Sequence, residues 1–302
     1  MMPSSPSRPS YSRRRALTLF AAAAGLPMLP GLTRAAGGDG VPRQRWQGRA
    51  LGAQAAMVLA HPDPKVATRA ATRAIAEVRR LERIFSLHDP GSEISRLNRA
   101  GFLAAPSHDL RRLLAEALRF GRLTGGAFDI SVQPLWRLYA EHFARNPEDR
   151  AGPDPRRIQD ARSLVDYRMI AMEEGGITLG RRGMALTLNG IAQGYITDRV
   201  AELLRELGFP RVLVQLGEIA ALDPPADGEG WRIGLQDPGS PAKNIAVLDL
   251  ANRAVATSSG RGTPFDRDGL HHHLFDPASG KSSARFLATT VVADRASAAF
   301  TL

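Results

Sequence analysis

Cysteine is absent from all 302 residues, which removes disulfide scaffolds, thiolate metal sites and thiol nucleophiles together. Any metal is left to oxygen and imidazole ligands. Aromatic residues make up only 6% of the chain, and they are not interleaved with the basic residues. The positive charge therefore builds no stacking groove, and no nucleic-acid partner is expected. A long unbroken apolar run is missing too. Leu17 to Leu32 is alanine-rich but interrupted by Gly25, Pro27 and Pro30, and it falls short of the ~20 apolar residues that a helical span requires. No stable membrane anchor is expected.

That run has instead the layout of an export signal. Ser12-Arg13-Arg14-Arg15-Ala16-Leu17 supplies a twin-arginine start, and Arg34-Ala35-Ala36 ends in a small-residue cleavage site. Residues 1–36 are expected to be removed on export to the periplasm by the twin-arginine route. Residues 37–302 then form one domain, long enough to bury a core. Arg8, Arg13, Arg14, Arg15 and Arg34 lie in the signal, so without those five the formal charge of +10 falls to +5.

Val66, Ala70, Ala74, Ile75, Val78, Leu81 and Ile84 recur at helical spacing with arginines between them. This predicts an amphipathic helix over 64–84, after the Pro62-Asp63-Pro64 break. Helices are also predicted over 110–123, ahead of Thr124-Gly125-Gly126, and over 196–207, ahead of Gly208-Phe209-Pro210. Short β-like runs occupy 54–60, 177–179, 186–188, 212–216, 231–235, 245–250, 254–257, 272–275 and 289–292. Strands predominate in the second half and no repeat period occurs, so the class is α+β. Residues 146–160, with Pro147, Pro153, Pro155 and many charges, read as an exposed excursion.

The segment from His271 to Gly280 concentrates chemistry: His-His-His-Leu-Phe-Asp-Pro-Ala-Ser-Gly. On a strand, His271 and His273 would face one way and His272 the other. Pro277 and Gly280 mark a turn. An acid/base corner that presents His273 and Asp276 is one reading; a hairpin end with solvated histidines is the other.

Three further segments combine with it. Phe85-Ser86-Leu87-His88-Asp89-Pro90-Gly91-Ser92-Glu93-Ile94-Ser95-Arg96-Leu97-Asn98 is a loop entering a short helix. Thr124-Gly125-Gly126-Ala127-Phe128-Asp129 through Trp136 is a glycine hinge that opens onto an aromatic ring and a carboxylate. Leu186-Thr187-Leu188-Asn189-Gly190-Ile191-Ala192-Gln193-Gly194-Tyr195 is a turn leading into a helix, a geometry able to bind phosphate through backbone N–H groups. In this order, with Trp231 to Pro238, Thr257-Ser258-Ser259-Gly260 and the histidine segment, the chain resembles the ApbE family of FAD:protein FMN transferases. The resemblance runs from about Leu51 to Val292. The form of the 186–195 segment and Gln215-Leu216-Gly217-Glu218-Ile219 are most similar to periplasmic members linked to nitrous oxide reductase maturation.

The resemblance implies an ApbE-type, T-fold-related α+β fold of antiparallel sheets with packed helices. It also implies a reaction in which FAD is cleaved at its pyrophosphate, FMN passes through a phosphoester to a threonine of an acceptor protein, and AMP leaves with Mg²⁺ assisting. Ala127, Phe128 and Asp129 are the implied FAD contacts. Leu51 and His88 stand at the places of a frequent methionine and tyrosine, Thr187 at that of an aspartate, and Gln193 at that of a lysine or glutamate. Leu274 marks a backbone or apolar cofactor contact. The backbone carbonyl near Gly190 is the implied metal contact. From spacing, His273 is the acid/base or phosphate-contacting group and Asp276 orients it. Plain packing for Phe128 and Leu274, and a turn cap for Asp129, are the alternatives.

The chain departs from the family at several positions. Thr187 and Gln193 supply no charge, and Gly217-Glu218 replaces a Gly-Gly-Asp turn. The family closes with Ala-Asp, three residues and a metal-binding Thr, but here Ala298-Ala299 precedes Phe300-Thr301-Leu302. Phe300 stands at the aspartate position, so an apparently truncated C-terminus and a weakened Mg²⁺ site are expected. Two functions follow: an exported flavin transferase, or a non-catalytic flavin-binding maturation protein. For the export signal, mass spectrometry of periplasmic material is expected to find a new N-terminus near Gly37, and an intact Met1 there would contradict it.

Overall fold

The computed structural model describes residues 33–36, 42–50, 53–224 and 230–301. Leu51 and most of the expected export signal lie outside these. The end of that signal does not: β1 (Thr33–Ala36) pairs antiparallel with β2 (Pro42–Ala50), which pairs with β3 (Ala53–Ala60).

Asp63 caps α1 (Pro64–Phe85) by accepting from the Lys65 N–H at 2.8 Å, with Pro64 in the first turn. The helix predicted over 64–84 is thus present. Its buried face is built from Ala67, Ala70, Ala71, Ala74, Val78 and Leu81. Ser92 caps α2 (Glu93–Ala100), β4 (Phe102–Ala104) follows, and Ser107 caps α3 (His108–Leu123), so the helix predicted from 110 begins one half-turn earlier.

Three helices escape the sequence reading, two of them in this stretch and the third at the end of the chain. α4 (Gln133–Arg145) carries Pro134 in its first turn, where a missing N–H costs nothing. α5 (Pro155–Arg162) starts the same way behind the Asp154 cap. The excursion expected over 146–160 therefore ends in a helix, because its proline sits where it starts a helix and not where it breaks one.

β5 (Ile170–Glu173) and β6 (Gly176–Leu179) join β4 in a small sheet of order β4-β6-β5. α6 (Ala192–Glu206) crosses the core, with Tyr195, Ile196, Val200 and Leu204 buried. β7 (Val212–Gln215) and β8 (Ile219–Ala221) form a hairpin, and β9 (Trp231–Asp237) pairs with β10 (Ser240–Leu250). β11 (Arg253–Ser259), β12 (Phe275–Asp276), β13 (Lys281–Ser282), β14 (Ala288–Ala293) and α7 (Ala296–Thr301) complete the chain. The main sheet has the order β1-β2-β3-β7-β8-β11-β14, and each pairing in it is antiparallel. The α+β reading holds, as antiparallel sheets with packed helices.

Two predicted strands are corrected. Residues 186–188 join no ladder: the Asn98 side-chain amide accepts from the Leu186 N–H at 2.6 Å and donates to the Leu186 carbonyl at 2.8 Å. One side chain takes the place of a neighbouring strand. Residues 272–275 also do not run as a strand; His272 makes one isolated antiparallel bridge with Pro264, and Phe275 and Asp276 pair with Ser282 and Lys281. The Ser282 hydroxyl accepts from the His272 N–H and donates to its carbonyl, so those groups are satisfied without a ladder.

α7 is fastened to α6. The buried Asp198 carboxylate accepts from the Ala296 N–H at 2.7 Å and from the Ser297 N–H at 3.1 Å. The approach is close because Gly194 has no side chain: a Cβ there would lie 2.5 Å from the Ala296 carbonyl oxygen. Gly194→Ala is expected to lower folding stability by about 1–3 kcal/mol through this overpacking. Urea denaturation checks it, and an unchanged midpoint would contradict the contact.

Candidate active site

A cleft of about 540 Å³ opens where three of the sequence segments converge. Leu87, His88, Pro90, Ser95 and Asn98 come from the loop before α2 and from α2 itself. Gln133 and Trp136 come from α4, and Asn189 comes from the turn before α6. Gln133, Trp136 and Arg137 are spaced i, i+3, i+4, so one face of α4 delivers all three. Arg99 and Arg137 complete the lining, which contains no carboxylate.

Three hydrogen bonds hold the segments in place. Asn98, itself in the cleft wall, grips Leu186 as described, and the Thr187 N–H donates to the Ile130 carbonyl at 2.8 Å. Thr187 is therefore pinned between the α2 and Ala127–Asp129 segments, and its hydroxyl accepts from the Asn189 N–H at 3.3 Å.

Asp129 is committed to its own loop. One carboxylate oxygen accepts from the Ser131 N–H at 2.8 Å and the Ser131 hydroxyl at 2.6 Å, and the other accepts from the Tyr167 N–H at 2.9 Å. Burial raises its pKa, and these three bonds pull against the rise. Its geometry is that of a turn clamp. Phe128 is half-buried, meets Phe120 edge-on at 6.4 Å, and lies over Gly190, where a Cβ would come 3.2 Å from its ring. Ala127 is exposed beside it. Gln193, in the first turn of α6, lays its amide on Gly217, whose φ of +103° suits glycine.

The histidines of 271–273 go to three places. The His271 ring contacts Tyr139 and Phe143, and its Nε2 donates to the Arg150 carbonyl at 3.2 Å. His272 is buried against Gly260, and burial lowers its pKa. His273 Nδ1 stands 3.3 Å from the Thr263 carbonyl. A carbonyl can only accept, so Nδ1 carries the proton and Nε2 keeps a free lone pair. Burial pushes the His273 pKa down to about 4, so the ring is neutral at ordinary pH.

Asp276 does not orient His273. Its carboxylate accepts from the Ala278 N–H at 3.0 Å and caps its own turn, and no hydrogen bond joins the two residues among those described. The physical reason is the Pro277 turn, which spends the carboxylate locally. Leu274 is half-buried, with its carbonyl accepting from the Ser283 N–H at 2.8 Å. His273 and Leu274 do not line the cleft with His88 and Asn189. The segment is tied to it through α4: Phe265 meets Trp136 and Tyr139 at 5.8 Å each, and the Tyr139 hydroxyl donates to the Gly280 carbonyl at 3.2 Å.

The residues present do not fit a Mg²⁺ site. No group of three or more His, Asp or Glu side chains converges among the described residues. Gly190 faces the Phe128 ring, and the acidic groups near α7 are engaged: Asp198 with the α7 N–H groups, Glu202 with Arg199 and Arg295, Glu116 with the Ser297 hydroxyl.

One buried acid was not singled out by sequence as a site. Glu218, 3% exposed, follows Gly217 in the β7–β8 hairpin, and one of its carboxylate oxygens has no hydrogen-bond partner among the described residues. Burial pushes its pKa up to about 8. The folded state thus holds the proton more tightly than the unfolded chain does. The associated stability is complete below the ordinary carboxylate range and is lost as pH rises through about 8. Glu218→Gln is expected to flatten this dependence and to leave the variant about 1–3 kcal/mol more stable than the parent above that pH. Parallel melting-temperature profiles from acid to mildly alkaline pH would contradict it.

The model of the ApbE family matches residues 51–301. A FAD:protein FMN transferase of Haemophilus influenzae is 29% identical over 218 residues, covering 68% of this chain and 62% of that protein. The Treponema pallidum protein of the same name is 31% identical over 221 residues, covering 66% of this chain and 59% of that one. The matched region thus spans about three fifths of these relatives' length. Among solved structures, an ApbE protein from Thermotoga maritima superposes with a TM-score of 0.75 at 25% identity, covering 86% of this chain and 84% of that one. The flavin transferase ApbE from Vibrio cholerae gives 0.73 at 22% identity, covering 86% and 85%. With a family match over most of its length and the fold reproduced, this chain belongs to the ApbE family.

Proposed function

We propose that this chain cleaves FAD at its pyrophosphate and passes the FMN half to a threonine hydroxyl of an acceptor protein, with AMP leaving. The observation that carries this reading is the convergence of three segments, each resembling a segment of the family, on one cleft. That cleft offers a Trp136 ring to stack on, amides from Asn98, Gln133 and Asn189, and two guanidinium groups. A dinucleotide presents complementary chemistry: flat rings, hydrogen-bonding edges and anionic phosphates.

The chain's own contribution to phosphoryl transfer is positioning and a proton acceptor. From its place in the histidine segment, His273, with its Nδ1 proton held by Thr263, is assigned as the base for the acceptor hydroxyl; it stands outside the cleft lining, on the segment that Phe265 ties to Trp136. Phe128 and Gly190 shape the wall beside the α6 turn. Mg²⁺ would supply charge neutralisation at the phosphates, but the donor set here does not match it, and no step is assigned to it. The same mismatch supports a second reading, a flavin-binding maturation protein that does not catalyse. We further propose periplasmic placement, supported by the Ser12–Leu17 pattern.

Incubation of purified protein with FAD, with and without Mg²⁺, and chromatography of the nucleotides separate the readings. The transferase releases AMP and leaves FMN on a supplied threonine-containing acceptor, and His273→Ala lowers the rate by about 10²–10⁴-fold. FAD binding without AMP release favours the second reading. Failure to bind FAD contradicts both.

A further inference from the structure

Arg137 is an unspent cation. It stands exposed on the cleft face of α4, and it makes no hydrogen bond or ion pair with any described residue. Most other arginines near the core are engaged: Arg80 with Glu77 and Asp109, Arg199 with Glu202, Arg295 with Asp198 and Glu202. Across the same cleft Arg99, one residue beyond Asn98, uses one guanidinium nitrogen on the Pro90 carbonyl at 3.2 Å. A guanidinium has five donors, so this single bond anchors Arg99 and leaves most of its fork unused.

Two arginines in a concave wall without a carboxylate create a local positive potential that a neutral ligand would not reward. The ligand chemistry they suit is a dianionic phosphate group, which a guanidinium fork binds through paired, charge-assisted hydrogen bonds. Their scaffold is defined. Asn98, the neighbour of Arg99, is locked on Leu186, and Gln133 and Trp136 share the Arg137 face of α4. The amides and the indole on either side would meet the uncharged parts of the same ligand.

We propose that Arg99 and Arg137 are the diphosphate-binding pair of this cleft, placing there the positive charge that the chain's acidic residues are not arranged to recruit as a metal ion. The inference rests on the cleft being the FAD site, and it goes further in assigning phosphate recognition to two side chains that are specific to this wall. Arg137 has no partner among the described residues to release before it binds a phosphate.

The test is equilibrium binding to the full chain in metal-free buffer, with inorganic pyrophosphate, ADP, FAD and riboflavin as probes, over a range of NaCl concentrations. Arg137→Gln and Arg99→Gln are each expected to weaken pyrophosphate, ADP and FAD by roughly ten- to a hundred-fold. They should leave riboflavin affinity unchanged and reduce the salt dependence of FAD binding. Both are exposed polar replacements, and Arg122→Gln on the exposed side of α3 serves as the matched surface control. If FAD, ADP and pyrophosphate bind both variants as tightly as the parent, the pair is overturned while the flavin-transferase reading stands. An equal loss of riboflavin would also overturn it, because the arginines would then be shaping the cleft and not reading phosphate. If the parent binds pyrophosphate and ADP but no flavin, the pair stands and the flavin reading falls.

Discussion

The Asn98 amide holds the candidate site together. It grips both backbone groups of Leu186, and it does so from the wall of the cleft. Without it, a buried N–H and a buried carbonyl would lose their partners at once, at about 1–3 kcal/mol for each group left unsatisfied. The turn that follows, Asn189 to Gln193, could then no longer be held against α2. Everything proposed for this face inherits that constraint, since α2, α4 and the α6 turn together line the cleft. Asp129 is the second clamp: its three bonds to Ser131 and Tyr167 fix the loop whose Ile130 carbonyl receives Thr187.

This division of labour changes how the acidic residues are understood. Asp129, Asp198 and Asp276 each spend their oxygens on backbone N–H groups, so three carboxylates that look available for chemistry serve to build turns and helix starts. Glu218 alone among the described buried carboxyls combines a strongly raised pKa with an orphaned oxygen. The result is a cleft whose charge comes from arginine. His273, neutral and oriented by Thr263, is the group closest to a general base in its chemistry, and it lies on a segment braced by the aromatic contacts of Trp136 and Tyr139 with Phe265.

Much of this was legible in the sequence where local physics dominates. The alanine and valine spacing over 64–84 corresponds to α1, and the runs over 54–60, 177–179, 212–216 and 289–292 correspond to strands of the two main antiparallel sheets. Three motif segments did meet in space. What could not be read was anything decided by distant partners. A side-chain amide 88 positions away satisfies Leu186, so its apolar-polar alternation reads as a strand although no strand pairs with it. The Ser282 hydroxyl does the same for His272. The Asp276 pairing with His273 failed for the opposite reason: spacing places two residues near each other in sequence, but a proline turn decides where the carboxylate points. Arg99 and Arg137 carry no motif, and only the placement of α4 against α2 brings them to one wall.

The central claim is that the cleft between α2, α4 and the α6 turn is the FAD site. A crystal structure of the protein soaked with FAD tests it most directly. The account predicts density for the dinucleotide along Trp136, Asn98 and Asn189, with the phosphates between Arg99 and Arg137. FAD bound elsewhere on the molecule, with this cleft unchanged, would contradict it.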